Sequence, residues 1–186
     1  MDKEILPIRI DGDPILRVKC RIVTKEDDPV GKIKLMYNTL EFIKSGVGLA
    51  APQTGYGLRM FIIGGSSAGA PKHETFVNPE ILEFKGVVKL DTEGCLSVPG
   101  VFARVPRYSK IVIKYYDTDF KEYIKVFKNF DARVIQHEYD HLNGVEFYDK
   151  ISPIEFAKVR RNIDSLRNGD IPDTGYETIQ EHVQAS

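Results

Sequence analysis

The residues whose types and spacing suit chemistry fall in one short stretch, QHEYDHLNG, residues 136–144. His137 and His141 stand four apart, and Glu138 directly follows the first. On a helix, positions i and i+4 share a face, so both imidazoles can reach one metal ion. Glu138 is then placed as a general base toward a water that the metal activates. A catalytic site of this kind needs a third protein ligand and an open position. The bland competing reading is a pair of satisfied core histidines on a buried helix.

The third ligand separates the classes of enzyme. One class of metalloprotease places a third His three residues after a Gly. Here Gly144 is present, but position 147 is Phe. A Glu from the next helix serves in thermolysin-like endopeptidases, and Glu155 is the nearest candidate. His73 and His182 fall in a surface loop and a tail and read as solvated. Of the two cysteines, Cys20 has no neighbouring Gly and reads as core. Cys95, in DTEGCLSVPG (91–100), follows Gly94, which allows close backbone approach, and a thiolate is a good metal ligand. From the residues alone Cys95 and Glu155 both stay open, as does a closed structural site with four protein ligands.

These groups need elements to position them. A helix is expected from about Asp28 to Lys44, with Asp28 as N-cap, Pro29 in the first turn and Ile33, Met36, Tyr37, Leu40 and Ile43 at helical spacing. Ser45-Gly46 stops it. GVGLAAPQTGYG (46–57) reads as a loop. It is no dinucleotide fingerprint, because Ala51 breaks G-x-G-x-x-G and the loop runs from helix to strand. RMFIIG (59–64) reads as a buried strand. Short β-like runs follow: TFVN, EILEF, VVKL, VFARV, KIVIKYY and EYIKVF, the last two forming a hairpin around DTDF. Residues 130–143 read as a buried helix, capped by Asn129 or Asp131 and ended by Gly144. A last amphipathic helix spans about 153–168, with Phe156, Val159, Ile163 and Leu166 inward.

The expected class is therefore α+β: short antiparallel sheets packed around a buried helix carrying HExxH, with an N-terminal and a C-terminal helix. Residues 1–168 read as a single catalytic domain and 169–186, which lack Lys and Arg, as an acidic, loosely ordered tail. The chain has 186 residues, 42% hydrophobic and 28% charged, with formal net charge −1. That balance gives no global basic field for DNA or a membrane surface. No apolar run approaches the roughly 18–20 residues of a membrane span. MDKEILPIRI has neither a signal-peptide nor a transit-peptide pattern, so the cytoplasm is the expected location.

Three stretches, GVGLAAPQ (46–53), EGCLS (93–97) and QHEYDH (136–141), closely resemble the three signature motifs of the peptide deformylase family, in the family's order. The resemblance covers about residues 5–165, and GDPILR (12–17) fits as well. It implies an enzyme that removes the formyl group from N-formylmethionine at the start of nascent bacterial polypeptides. By that resemblance Cys95, His137 and His141 bind one divalent metal ion, with Fe²⁺ native and Zn²⁺, Ni²⁺ or Co²⁺ as substitutes. Glu138 is the general base and acid, and Gln53 and the backbone N–H of Leu96 hold the oxyanion. Backbone at Val47, Gly48 and Gly94 lies beside an extended peptide, like an added strand. Val47, Phe130, Val134 and the His137 ring line the methionine pocket, with Arg133 and Asp91 at its rim. An Asp140–Arg107 ion pair orients the helix. Lys158, Arg160, Arg161 and Arg167 on the last helix read as a solvated face. The resemblance also suggests the ribosome as a partner for that face.

Overall fold

The computed structural model describes residues 3–65, 69–176 and 178–179. Its elements are β1 (Ile8–Arg9), α1 (Pro29–Ile43), β2 (Gly48–Ala50), β3 (Met60–Ile63), β4 (Glu74–Cys95), β5 (Val98–Tyr116), β6 (Glu122–Lys128), α2 (Asn129–His141), α3 (Pro153–Arg167) and β7 (Thr178–Ile179). Short 3₁₀ turns link several of them. Strands β2 to β6 form one sheet in sequential order, antiparallel throughout. The α+β expectation holds. No helix among the described residues is long and apolar enough to cross a membrane.

Helix α1 starts as its sequence dictates. The Asp28 carboxylate accepts from Gly31 N at 3.1 Å, and Pro29 needs no donor in the first turn. Its apolar stripe of Ile33, Met36, Leu40 and Ile43 is buried. Strand β3 is buried on both faces. Met60 and Ile62 join the cluster beneath α1, while Phe61 and Ile63 join the cluster around Val134, Ile135 and Leu142. The site is therefore assembled where α2 crosses the short strands β2 and β3.

The strands differ from the expected short runs. EILEF and VVKL belong to one 22-residue strand, β4, and VFARV and KIVIKYY to the 19-residue β5. Residues 82–92 of β4 are exposed without alternation, and bulges interrupt the register. A strand wet on both faces shows no period-two signal, and bulges shift its phase. β4 and β5 join through a two-residue turn, Leu96-Ser97, with Cys95 paired to Val98. The turn thus sits directly at the cysteine. The hairpin of β5 and β6 around DTDF is present.

Helix α2 has no side-chain cap. Its N-cap position is Lys128, so the expected capping by Asn129 or Asp131 is not used. It is held laterally instead. Gln136 donates to Tyr108 O at 2.8 Å and accepts from Tyr108 N at 3.1 Å, so its amide replaces a strand neighbour on β5. Past its end, Gly144 has φ +69°, and a Cβ there would meet Arg17 O at 2.5 Å. Helix α3 is capped by Ser152, which accepts from Glu155 N. Beyond it, the described part of the segment expected to be loose is packed on the domain. Ile171 and Tyr176 lie against the core, and β7 pairs in parallel with β1. Hydrophobic contact and strand pairing hold it, and neither needs internal periodicity. His182 lies outside the described residues.

Candidate active site

Cys95, the last residue of β4, meets His137 and His141 of α2. One potential ligand atom from each lies within 4.8 Å of the other two. Cys95 Sγ is 3.3 Å from His141 Nε2, and the two imidazoles stand edge to face with centroids 5.0 Å apart. A thiol and two imidazoles are a suitable donor set for a borderline divalent cation. Among the described residues the buried His141 Nδ1 and Glu138 Oε2 have no hydrogen-bond partner, and an apolar core would not leave such atoms unsatisfied without reason. The residues present therefore fit a cation. Glu155 is elsewhere: it is half-exposed on α3 and pairs with Lys158, so the thermolysin-like ligand set is not assembled. His73 stacks on Tyr37, and Cys20 is buried in the core.

The cluster opens into a cavity of about 540 Å³. Val47, Gly48, Gln53, Gly94, Cys95, Leu96, Phe130, Val134, His137 and Glu138 all line it, while His141 lies behind at 1% exposure. Glu138 is buried against β2, where a Cβ on Gly48 would meet its Oε1 at 2.5 Å. Burial pushes the Glu138 carboxyl up to about 7, with the His137 charge acting against that rise. Gln53 accepts from Ala50 N at 2.8 Å and donates to Ser97 Oγ at 3.2 Å, with Cys95 Sγ at 3.4 Å. Its amide plane is thus fixed from both ends.

Strand β2 is an edge of the sheet. Val47 O accepts from Gly64 N at 3.0 Å, which makes residue 47 a hydrogen-bonded position of the ladder. Because such positions alternate in antiparallel pairs, the backbone of Gly48 faces away from β3. Across the cavity, a Cβ on Gly94 would meet the Phe102 ring at 2.6 Å.

Glu93 organises the floor. It receives Arg107 Nε and Nη2, each at 2.9 Å, Arg133 Nη1 at 2.6 Å, and lies 3.0 Å from His137 Nδ1. Burial raises its pKa, but the His137 and Arg107 contacts outweigh this and hold it well below the usual carboxylate range. Arg107 also pairs with Asp140, as expected. Arg133 does not offer its charge at a rim. It is 8% exposed and bonds inward to Glu93, Val105 O and Lys89 O. Asp91 is exposed and lines a separate small cavity. Three features escaped the sequence reading: Glu93, Phe102, and the segment Pro172–Tyr176, which closes one wall. Glu93 had a visible sign, an acid inside EGCLS. The segment had none, because only folding brings it to the cavity.

An α+β fold that sets a Cys/His/His cluster and a buried glutamate beside a cavity of this size could hold a cation and activate water there. The polypeptide deformylase family profile matches residues 5–157. The peptide deformylase of Cytophaga hutchinsonii is 42% identical over 171 residues, 89% of this chain and 92% of that one. The crystal structure of Thermus thermophilus peptide deformylase aligns with TM-score 0.81 at 32% identity, over 89% of this chain and 99% of that one. That of Plasmodium falciparum aligns with TM-score 0.80 at 33% identity, over 87% and 95%. The chain belongs to the polypeptide deformylase family, enzymes that hydrolyse the formyl amide at peptide N-termini.

Proposed function

We propose that the chain deformylates the N-formylmethionyl end of nascent polypeptides in the cytoplasm, using one divalent cation held by Cys95, His137 and His141. The observation that supports this most is the convergence of three ligand atoms within 4.8 Å beside a buried glutamate. When bound, such a cation supplies Lewis acidity and lowers the pKa of water from 15.7 to roughly 7. Fe²⁺ is the proposed native ion, and the same donors accept Zn²⁺, Ni²⁺ or Co²⁺.

Glu138 takes a proton from the attacking water and returns it to the amine nitrogen as the formyl C–N bond breaks. Its buried Oε2 has no hydrogen-bond partner among the described residues. The Gln53 amide and the Leu96 N–H hold the oxygen that becomes negative at the tetrahedral carbon. Ala50 and Ser97 fix the Gln53 amide, so the N–H that now lies 3.4 Å from Cys95 Sγ is the one left to turn to this oxygen. The peptide runs extended between the outward backbone of Gly48, beside Val47, and that of Gly94. Its methionine side chain enters among Val47, Phe130, Val134 and the His137 ring.

Three of the four α3 cations are paired within the chain, which favours a solvated face over a ribosome contact: Lys158 pairs with Glu155, Arg160 with Asp164, and Arg167 turns inward to Asp11. The test is formate release from formyl-Met-Ala-Ser by protein loaded anaerobically with Fe²⁺ or Ni²⁺. Formate with the internal bonds intact is expected. Internal cleavage would indicate an endopeptidase, and no formate from ion-loaded protein would indicate a structural site.

A further inference from the structure

Resting on that cation reading, we infer that Glu146 is a positioning residue for His141: its carboxylate takes the Nδ1–H, keeps Nε2 for the cation, and balances the cation's charge from below. Glu146 follows α2 in the run NGVEFYDK and is completely buried, at 0% exposure. Its backbone N–H is used, donating to Asp149 Oδ2 at 2.8 Å. Among the described residues both side-chain oxygens are buried without a hydrogen-bond partner, and so is His141 Nδ1. The orphans face each other, with Oε1 3.7 Å from Nδ1. Nε2 of the same ring points the other way, to the Cys95 sulfur.

A buried carboxylate with no donor is costly, and one beside an equally unpartnered imidazole nitrogen is best explained by a shared proton. A ligating histidine ordinarily donates its second ring N–H to a carboxylate or carbonyl, which fixes tautomer and ring orientation. His137 already has this arrangement with Glu93. Glu93, however, is neutralised by Arg107 and Arg133, so it adds little net charge beneath the site. Glu146 has no such direct ion pair to an arginine among the described residues. A Glu146 carboxylate behind His141 adds to the negative charge that the Cys95 thiolate brings to a divalent ion, which lowers the cost of holding that ion away from water.

The test titrates Co²⁺ into the full-length chain, Glu146→Leu and Glu146→Gln against a competing chelator. It follows the thiolate-to-cobalt band, with Cys95→Ser as the control that lacks it. Glu146→Leu is expected to weaken Co²⁺ about 10–100-fold while raising the melting temperature of the ion-free chain, because the long 3.7 Å contact to His141 does not offset the cost of burying that carboxyl. Glu146→Gln keeps an acceptor oxygen without the charge and is expected to fall between. Opposite signs for affinity and ion-free stability distinguish positioning from a merely structural role. Variants that hold Co²⁺ as tightly as the parent, with an unchanged band, would overturn the role of Glu146 alone. A parent chain with no band dependent on Cys95 would overturn the cation reading and this inference together.

Discussion

Glu93 Oε2 lies 3.0 Å from His137 Nδ1, and the same carboxylate grips Arg107 through both oxygens. One side chain, two residues before the cysteine, thus ties β4 to β5 and α2 and orients a candidate ligand. Replacing it by alanine leaves Arg107 and Arg133 facing each other's charge in a dry site. Losing one partner of a buried ion pair costs roughly 3–5 kcal/mol. Urea unfolding of Glu93→Ala should show a loss of that order, and a change under 1 kcal/mol would mean that the network is not coupled to stability.

Gly48 is needed for space. A Cβ there would meet Glu138 Oε1 at 2.5 Å, and the carboxylate must move. A displacement of about 1 Å at a reacting group can cost 10²-fold in rate. Gly48→Ala should therefore lose about that factor in kcat while Tm falls only slightly. Retained kcat would place the working carboxylate elsewhere.

Glu138→Gln keeps shape and removes the proton acceptor. General acid–base catalysis contributes roughly 10²–10⁴-fold, so kcat should fall within that range. The ion content should stay unchanged, since Glu138 is not among the clustered ligand atoms. If formate production continues at the parent rate, another base carries the reaction.

Tyr176 closes the cavity wall by donating to Leu96 O at 2.9 Å. A hydrogen bond of this kind is worth about 0.5–1.5 kcal/mol. Tyr176→Phe should raise KM by about 3–10-fold, consistent with that energy, and change kcat less. Steady-state kinetics on a tripeptide substrate would decide it; an unaltered KM would make the segment a bystander.

Cys20 offers a pH test remote from the cluster. Burial pushes its thiol up to about 11, against a small opposing effect of Arg59. The folded chain therefore holds this proton more tightly than the unfolded chain, whose thiol sits near 9.0. The stability contribution is complete below pH 9 and is lost as pH rises toward 11. Urea midpoints between those values should fall less steeply for Cys20→Ala than for the parent, and parallel curves would refute the shift.

How much of this was legible in advance follows from range. The α1 cap, the α3 span and the 3.6-residue pattern of α2 are local, and the structure reproduces them within a residue or two. The β4 and β5 lengths were not legible, because residues 82–92 are exposed on both sides and bulged. Glu146 was legible as an acid between Val145 and Phe147, but nothing local says which imidazole it faces.

The sequence by itself determined that His137, Glu138 and His141 share a helix, since spacing on one helix is set by the backbone alone. It also supplied three motifs whose order names the family. Only the tertiary structure decided that Cys95, rather than Glu155, stands beside the histidines. It likewise decided that Arg133 turns inward to Glu93 and that Tyr176 reaches the cavity. Those placements join residues up to 80 positions apart. They depend on the antiparallel register of β4 and β5 and the packing of α2 across the sheet, neither of which is encoded in a local window.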